Sequence, residues 1–140
     1  MALGSDIVKR IERIEEALRR LEEIRQLSLD QFLNDWKSQD ASLHNLQITI
    51  EGCLDIGNYI IGLIGAKSPD TYVQIVEILG EEKILPEDFL EVAKNMARFR
   101  NIIVHDYLYL DLQKVYSFLL KLNDIRQFLR YLVEYLEMRR

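Results

Sequence analysis

The sequence predicts an all-α protein, an up-and-down bundle of four to five helices. Only six Gly and two Pro occur in 140 residues, and so few turn-forming residues favour long helices over many short strands. Apolar residues recur at steps of three and four along several segments, as they do on one face of a helix. No segment shows the two-residue alternation of a strand. We therefore expect a single helical domain over residues 1–140.

The first helix is predicted from about Ile7 to Ile24, because its apolar residues share one face. They are spaced by three or four positions: Ile7, Ile11, Ile14, Leu18, Leu21 and Ile24. Charged residues occupy the opposite face. The repeat covers fewer than three heptads, which favours a helix of a bundle over a long coiled coil.

A long second helix is predicted over about residues 30–64. Ser28 and Gln31 form a capping-box pattern before it, and Gly62 and Gly65 are suited to end it. Because 35 residues is long for a helix of a globular protein, we allow for a break between residues 37 and 42.

A short third helix is predicted over about residues 70–79. Ser68 and Pro69 are typical of an N-cap followed by a first-turn proline, and Gly80 is suited to close the helix. These signals make the third helix the shortest element of the predicted bundle.

Two longer helices follow. Pro86 opens a fourth helix, predicted over about residues 86–105 or slightly beyond. Asp111 is the candidate N-cap of a fifth helix, predicted over about residues 112–137. The densest cluster of reactive side chains in the sequence lies at the end of the fourth helix.

Composition excludes several classes of protein. With 49% hydrophobic and 29% charged residues, the chain is neither disordered nor collagen-like. Its longest apolar stretch, residues 59–66, is far shorter than the ~20 residues of a membrane helix, and the first six residues lack a secretory pattern. We therefore expect a cytoplasmic protein without membrane contact.

Cys53 is the only cysteine, and His44 and His105 are the only histidines, so we expect no intrachain disulfide, metal centre or cofactor.

The densest cluster of reactive side chains lies within residues 98–107. Asn101 and His105, four residues apart, lie about 40° from each other around a helix. Arg100 lies about 140° from His105 by the same geometry, so only a long, flexible side chain could bring them together. By spacing alone, this histidine is more typical of a capping or packing residue.

Two segments resemble the HEPN superfamily, and HepT-type toxins in particular. Arg100, His105 and Tyr107 are arranged as in its R-x4-H-x-Y motif, and the stretch that begins at Arg100 is similar to an R-N-x-x-V-H core. Residues 50–61 resemble the second-helix signature E-x-C-x-D-I-x-N followed by apolar residues. Together the similarity covers about residues 47–132, most of the chain.

The resemblance implies a metal-independent endoribonuclease that acts as the toxin of a toxin–antitoxin pair. HEPN ribonucleases are typically homodimers that bring two R-x4-H motifs into one cleft, and the implied antitoxin is a small MntA-type nucleotidyltransferase. Either a tRNA or an mRNA is compatible with such a cleft. Two other interpretations stay open: a non-catalytic helical binding partner of a nucleotidyltransferase, and a purely structural bundle.

The resemblance also implies roles for the motif residues. Cleavage without a metal requires the ribose 2′-hydroxyl to attack the adjacent phosphorus, with protein groups to move the protons. His105 is assigned to proton transfer, because an imidazole titrates near working pH. Arg100 is assigned to phosphate binding and charge stabilisation, because its planar fork donates paired hydrogen bonds. Asn101 is expected to orient the imidazole or to contact RNA.

Glu51, Asp55 and Asn58 form a polar stripe on the predicted second helix, at spacings of four and three residues. Carboxylates among apolar neighbours need partners if they are buried. We expect Asp55 or Glu51 to pair with Arg100 or with an N–H of His105. A solvent-facing stripe or a purely structural buried pair is the alternative.

Tyr107 also has two interpretations. The resemblance makes it the tyrosine that an MntA-like partner modifies with AMP, with Tyr109 as a secondary candidate. The alternative is an amphipathic tyrosine that packs its ring at a helix end and leaves its hydroxyl in water.

The C-terminal third is more basic than the rest. The whole chain carries a net charge of −5, whereas residues 94–140 hold nine basic and five acidic side chains. A local positive face attracts polyanions, although an ordinary solvated surface would show the same counts. Lys121, Arg126 and Arg130 are the residues expected to extend an RNA-contacting face.

Overall fold

Every regular element of the structure is a helix within the described range. The structure is a computed structural model, and it describes residues 3–139. In this range there are seven α-helices: α1 (Ser5–Ile24), α2 (Leu29–Leu33), α3 (Trp36–Leu63), α4 (Tyr72–Glu81), α5 (Leu90–His105), α6 (Leu112–Leu119) and α7 (Leu122–Arg139). Two 3₁₀ turns, Glu87–Phe89 and Tyr107–Tyr109, flank α5. The predicted all-α fold class is confirmed.

Helix α3 lies at the centre of the bundle and packs against each of the other α-helices. Many of its apolar side chains, among them Leu46, Ile50 and Leu54, are fully buried. Burial of each such side chain contributes about 1.5–3 kcal/mol. Because the other helices pack against α3, the backbone positions of its polar residues are fixed by the bundle.

Helices α1 and α3 approach each other closely at Gly52. A Cβ atom at this position would lie 2.6 Å from Cγ1 and 2.7 Å from Cδ1 of Ile14, whose side chain is buried. We predict that Gly52→Ala lowers the free energy of unfolding. Overpacking costs about 1–3 kcal/mol, and we expect this cost to exceed the roughly 1 kcal/mol gained when alanine replaces a helical glycine.

Gly62 provides the matched control in the same helix, because an added Cβ there has nothing within 4 Å. Gly62→Ala should therefore be neutral or stabilising. Urea denaturation measures both variants, and equal effects of the two substitutions would contradict the close contact at Gly52.

The predicted second helix is two helices in the structure, and the break comes earlier than the window we allowed. The backbone of Asp35 is extended, and its carboxylate accepts a hydrogen bond from the Ser38 hydroxyl at 2.6 Å. The Gln39 amide donates to the carbonyls of Phe32 and Leu33 at 3.0 and 3.1 Å. The Gln39 amide thus satisfies two carbonyls at the end of α2, and the bond between Ser38 and Asp35 links the first turn of α3 to the residue before it.

Two predicted helix starts are confirmed. Ser28 and Gln31 form both bonds of a capping box: the Gln31 N–H donates to the Ser28 hydroxyl, and the Ser28 N–H donates to the Gln31 side chain. The carboxylate of Asp111 accepts a bond from the N–H of Gln113 at 2.9 Å before α6. Side-chain caps of this kind contribute about 1 kcal/mol each.

The predicted start of the third helix is wrong. Ser68 and Pro69 lie before the helix, and α4 begins after Thr71, whose hydroxyl accepts a hydrogen bond from the N–H of Gln74 at 3.1 Å. The later hydroxyl takes the capping role, because its backbone is extended and its oxygen reaches the first-turn N–H. The helix also continues one residue past Gly80.

The fifth predicted helix is interrupted without a proline or glycine. Helix α6 ends at Leu119 and α7 begins at Leu122. The turn between them keeps both leucines fully buried, while Leu120 is half exposed. Positions three apart would also share one face of an unbroken helix, so the burial of these two leucines alone does not account for the break.

The fourth predicted helix begins with a 3₁₀ turn after Pro86 and ends at His105, as predicted. Among the residues described, no helix is both long and apolar enough to cross a membrane. The assignment of residues 1–140 to one domain stays a prediction, and Met1, Ala2 and Arg140 lie outside the described residues.

Candidate active site

An open cleft of about 520 Å³ lies where α3, the start of α4 and the end of α5 meet. Asn58, Arg100, Asn101 and His105, four of the residues singled out from the sequence, line this cleft. Arg100 and His105 therefore share a cavity despite their angular separation on α5. The length of the arginine side chain accounts for this, as the sequence analysis allowed.

Arg100 is held against the wall of the cleft by hydrogen bonds. Its Nε donates to Oε1 of Glu51 on α3 at 2.7 Å, and its Nη1 donates to Oδ1 of Asn101 at 3.2 Å. The Arg100 side chain is 16% exposed and that of Glu51 is 25% exposed. Because the pair is largely buried, it is screened less by water than a surface ion pair. The expected pairing of a stripe carboxylate with Arg100 is thus made by Glu51.

Asp55 interacts with a different arginine. Its Oδ2 lies 3.4 Å from Nη1 of Arg10 on α1. Burial raises the pKa of Asp55, although the charge of Arg10 works in the opposite direction and the charge of Glu51 reinforces the rise. In the part of the chain that is described, neither Glu51 nor Asp55 hydrogen bonds to His105, so the alternative pairing with the imidazole is not formed.

Tyr72 is a residue of this site that the sequence analysis missed. Its ring packs under the Arg100 guanidinium, with Cζ of the arginine 4.6 Å from the ring centroid. Burial raises the pKa of its hydroxyl, and the charge of Asp55 on α3 reinforces the rise. Tyr72 is the first residue of α4 and lies 28 positions before Arg100 in the chain. No local spacing pattern could have linked the two, because only the packing of α4 on α3 and α5 brings them together.

His105 is the last residue of α5, and its side chain is exposed at the cleft. The turn that follows presents apolar and aromatic side chains to solvent: Tyr107 is 60%, Leu108 is 93% and Tyr109 is 81% exposed. The phenol groups of both tyrosines are therefore accessible, and they lie two and four positions after His105.

The three basic residues expected to form one RNA-contacting face lie on two separate grooves. Arg126 and Arg130 line a groove between α1 and α7, where Nη1 of Arg126 bonds Oε1 of Glu22 at 3.0 Å. Lys121 lines another groove, between α5 and the α6–α7 region. Neither groove is the cleft that contains His105.

Over residues 3–139, no three His, Cys, Asp or Glu side chains are grouped so that they could hold a metal ion. Cys53 is buried, and desolvation raises the pKa of its thiol to about 12. This thiol is therefore neither a nucleophile nor a metal ligand at neutral pH. The imidazole of His105, the guanidinium of Arg100 and the neighbouring amides line the cleft, together with the carboxylates of Asp70 and Asp106.

The family follows from a comparison of the whole sequence with known families. The model of the family described as "Ribonuclease HepT-like" matches residues 14–132. The chain belongs to the ribonuclease HepT-like family. The family assignment made from the two sequence motifs is therefore confirmed, and the match begins earlier in the chain, within α1.

Individual HepT proteins are similar over most of their length. The mRNA nuclease HepT of Shewanella oneidensis is 29% identical over 124 residues, which are 88% of this chain and 92% of that protein. The tRNA nuclease HepT of Aphanizomenon flos-aquae is 29% identical over 111 residues, which are 79% of this chain and 75% of that protein. A solved structure of the tri-AMPylated Shewanella oneidensis HEPN toxin with its MNT antitoxin matches with a TM-score of 0.85 and 27% identity, and the match covers 94% of this chain and 99% of the toxin.

Proposed function

We propose that this HepT-like chain is a metal-independent endoribonuclease, active in the cytoplasm as the toxin of a toxin–antitoxin pair. The observation that carries the proposal is that Arg100 and His105 line one open cleft, with the guanidinium oriented by Glu51. Membership of the family supports the ribonuclease class. Relatives that act on mRNA and on tRNA support RNA as the substrate.

The proposed reaction is a transesterification within the RNA strand. An imidazole removes the proton of the 2′-hydroxyl, the 2′-oxygen forms a bond to the adjacent phosphorus, and the bond from phosphorus to the 5′-oxygen breaks. The leaving 5′-oxygen then takes a proton, and a 2′,3′-cyclic phosphate remains. His105 supplies the proton transfer, while Arg100 stabilises the negative charge that develops on the phosphoryl oxygens.

One chain contributes one imidazole to the cleft, whereas the reaction needs both a base and an acid. We therefore propose a homodimer in which two copies of His105 and Arg100 face one RNA linkage. The exposed apolar side chains Val104 and Leu108, which flank His105 in sequence, support this arrangement, because apolar surface of this kind is normally covered by a partner. Asn58 and Asn101, which line the same cleft, are proposed to contact the RNA.

Cleavage in the presence of a chelator tests the proposed reaction. Purified protein with excess EDTA should still cut RNA, and the products should carry 2′,3′-cyclic phosphate ends. Loss of cleavage that added Mg²⁺ restores would contradict the metal-independent reaction. A protein that binds a nucleotidyltransferase but never cuts RNA would favour the alternative of a non-catalytic binding partner.

Tyr107 is proposed as the acceptor of AMP from an MntA-like nucleotidyltransferase antitoxin. Its accessible hydroxyl would attack the α-phosphorus of ATP, with release of pyrophosphate. The bulky anion, two residues from His105, would repel RNA phosphates and block the cleft. We predict that the partner and ATP add AMP to the wild-type protein and to Tyr109→Phe, but not to Tyr107→Phe, as measured by mass spectrometry. Modification of Tyr107→Phe at Tyr109 instead would show that the secondary candidate is the acceptor.

Lys121, Arg126 and Arg130 are proposed as additional RNA contacts outside the cleft. Charge reversal at Lys121 or Arg130, which are exposed, should weaken RNA binding and make it less dependent on salt, because fewer counterions are released. Unchanged affinity and salt dependence would assign these residues to the ordinary solvated surface.

A further inference from the structure

We infer that Tyr72 is a positioning residue for Arg100, and that it sets the plane of the guanidinium in the cleft. The inference rests on the proposed function, because it concerns the group that would bind the scissile phosphate. Tyr72 belongs to neither of the two sequence motifs, and it comes from a different helix, α4. It lines the same cleft as Arg100 and His105.

Contacts from three sides fix the guanidinium of Arg100. Glu51 accepts the Nε hydrogen bond at 2.7 Å, Asn101 accepts one from Nη1 at 3.2 Å, and the Tyr72 ring lies against the guanidinium with Cζ 4.6 Å from its centroid. The two hydrogen bonds lie at the edges of the guanidinium and still permit its plane to tilt. The Tyr72 ring packs against the face of the guanidinium and opposes that tilt. The hydrogen bonds to the described residues use Nε and Nη1, which leaves Nη2 for a phosphate oxygen.

The Tyr72 phenol stays uncharged beside Arg100. Burial raises its pKa, and the charge of Asp55 reinforces the rise whereas that of Arg100 opposes it. The carboxylate of Asp55 is itself paired, since its Oδ2 lies 3.4 Å from Nη1 of Arg10 on α1. The contact that supports the side chain from α5 is therefore the face of a neutral ring.

Tyr72 packs against the edge of the core and lies outside the fully buried part of it. The buried residues of this helix are Ile75, Val76 and Leu79, whereas Tyr72 is only partly buried. A substitution at position 72 should therefore alter the site more than the fold. For this reason kinetics and unfolding can be separated in the same variant.

Single-turnover RNA cleavage tests the inference with two variants, one that keeps the ring at position 72 and one that removes it. Tyr72→Phe keeps the ring and should retain activity within about threefold, because the guanidinium contact remains. Tyr72→Leu removes the ring and should lower the cleavage rate constant at saturating protein about tenfold, with little change in the protein concentration that gives half of that rate, because Arg100 is misaligned in the transition state. Tyr59→Leu is the matched control, since Tyr59 is half exposed and lies outside the cleft lining. If Tyr72→Leu fails to fold, Tyr72→Gln takes its place.

A double-mutant cycle distinguishes positioning from a general structural effect. In an Arg100→Lys background no planar fork remains to be oriented, so Tyr72→Leu should cause no further loss of cleavage. An equal tenfold loss in that background would overturn the inference, because Tyr72 would then act through another group. Full activity of Tyr72→Leu in the wild-type background would overturn it as well.

The Nε–H resonance of Arg100 gives a readout that does not require cleavage. NMR spectra of Arg100→Lys identify the resonance by its loss. It should keep its position in Tyr72→Phe and shift in Tyr72→Leu, because the ring current disappears. If the wild-type protein cuts no RNA but the resonance behaves in this way, the proposed function fails and the positioning role stands. An unshifted resonance in Tyr72→Leu would overturn the positioning role, whatever the activity.

Discussion

Replacement of His105 by alanine should lower RNA cleavage by about 10²- to 10⁴-fold, the contribution typical of general acid–base catalysis. The side chain is exposed at the end of α5, so its removal takes away the proposed proton-transfer group without opening a cavity. The free energy of unfolding should change by less than about 0.5 kcal/mol. Single-turnover cleavage of a labelled RNA and urea denaturation measure the two quantities.

His44 offers a matched control for this experiment. It is the other histidine of the chain, is exposed on α3, and does not line the cleft. His44→Ala should cut RNA at the wild-type rate. Wild-type cleavage by His105→Ala would refute the proposed role of the imidazole, and equal losses in both variants would point to an effect unrelated to the cleft.

Replacement of Arg100 by alanine should lower cleavage by about 10²- to 10³-fold. This is the typical effect of removing one preorganised hydrogen-bond donor to the negative charge that develops in a transition state. It should also destabilise the fold, unlike the substitution of His105. Glu51 would keep its charge in a largely buried position with the Gln47 amide as its remaining hydrogen-bond donor, and loss of a hydrogen bond to a charged group costs about 1.5–3 kcal/mol. The same cleavage and denaturation measurements apply.

A second substitution separates the two effects of Arg100→Ala. Glu51→Gln in the Arg100→Ala background removes the unpaired charge, so the double variant should recover part of the lost stability. It should recover no activity, because the phosphate-binding group is still absent. Recovery of cleavage together with stability would show that Arg100 supports the fold and takes no part in the reaction.

Much of the fold could be predicted because its determinants are local. The apolar spacing of α1, the capping box at Ser28 and the N-cap at Asp111 each depend on residues within a few positions of one another. The breaks inside the predicted second and fifth helices could not be predicted in the same way. At Asp35 the break depends on side chains that reach across the turn. Between Leu119 and Leu122 neither a proline nor a glycine marks the break in the sequence.

The residues of the candidate site also fall into those that a local sequence pattern revealed and those that other helices contribute. Arg100 and His105 were found through a short motif, and Glu51 through its place in a polar stripe. The structure joins Glu51 to Arg100 across 49 positions of the sequence. Tyr72 and Arg10 escaped prediction because each reaches the site from another helix. The spacing of residues along one helix carries no information about such partners.

The close approach of α1 and α3 has an evolutionary consequence for the cleft. Gly52, against which the Ile14 side chain packs, lies between Glu51 and Asp55 on α3. The distance between α1 and α3 at this point therefore helps to set how closely Arg10 on α1 approaches Asp55 on α3. Homologues that carry a bulkier residue at the position of Gly52 should carry a smaller one at that of Ile14, so these two core positions should covary although neither lines the cleft.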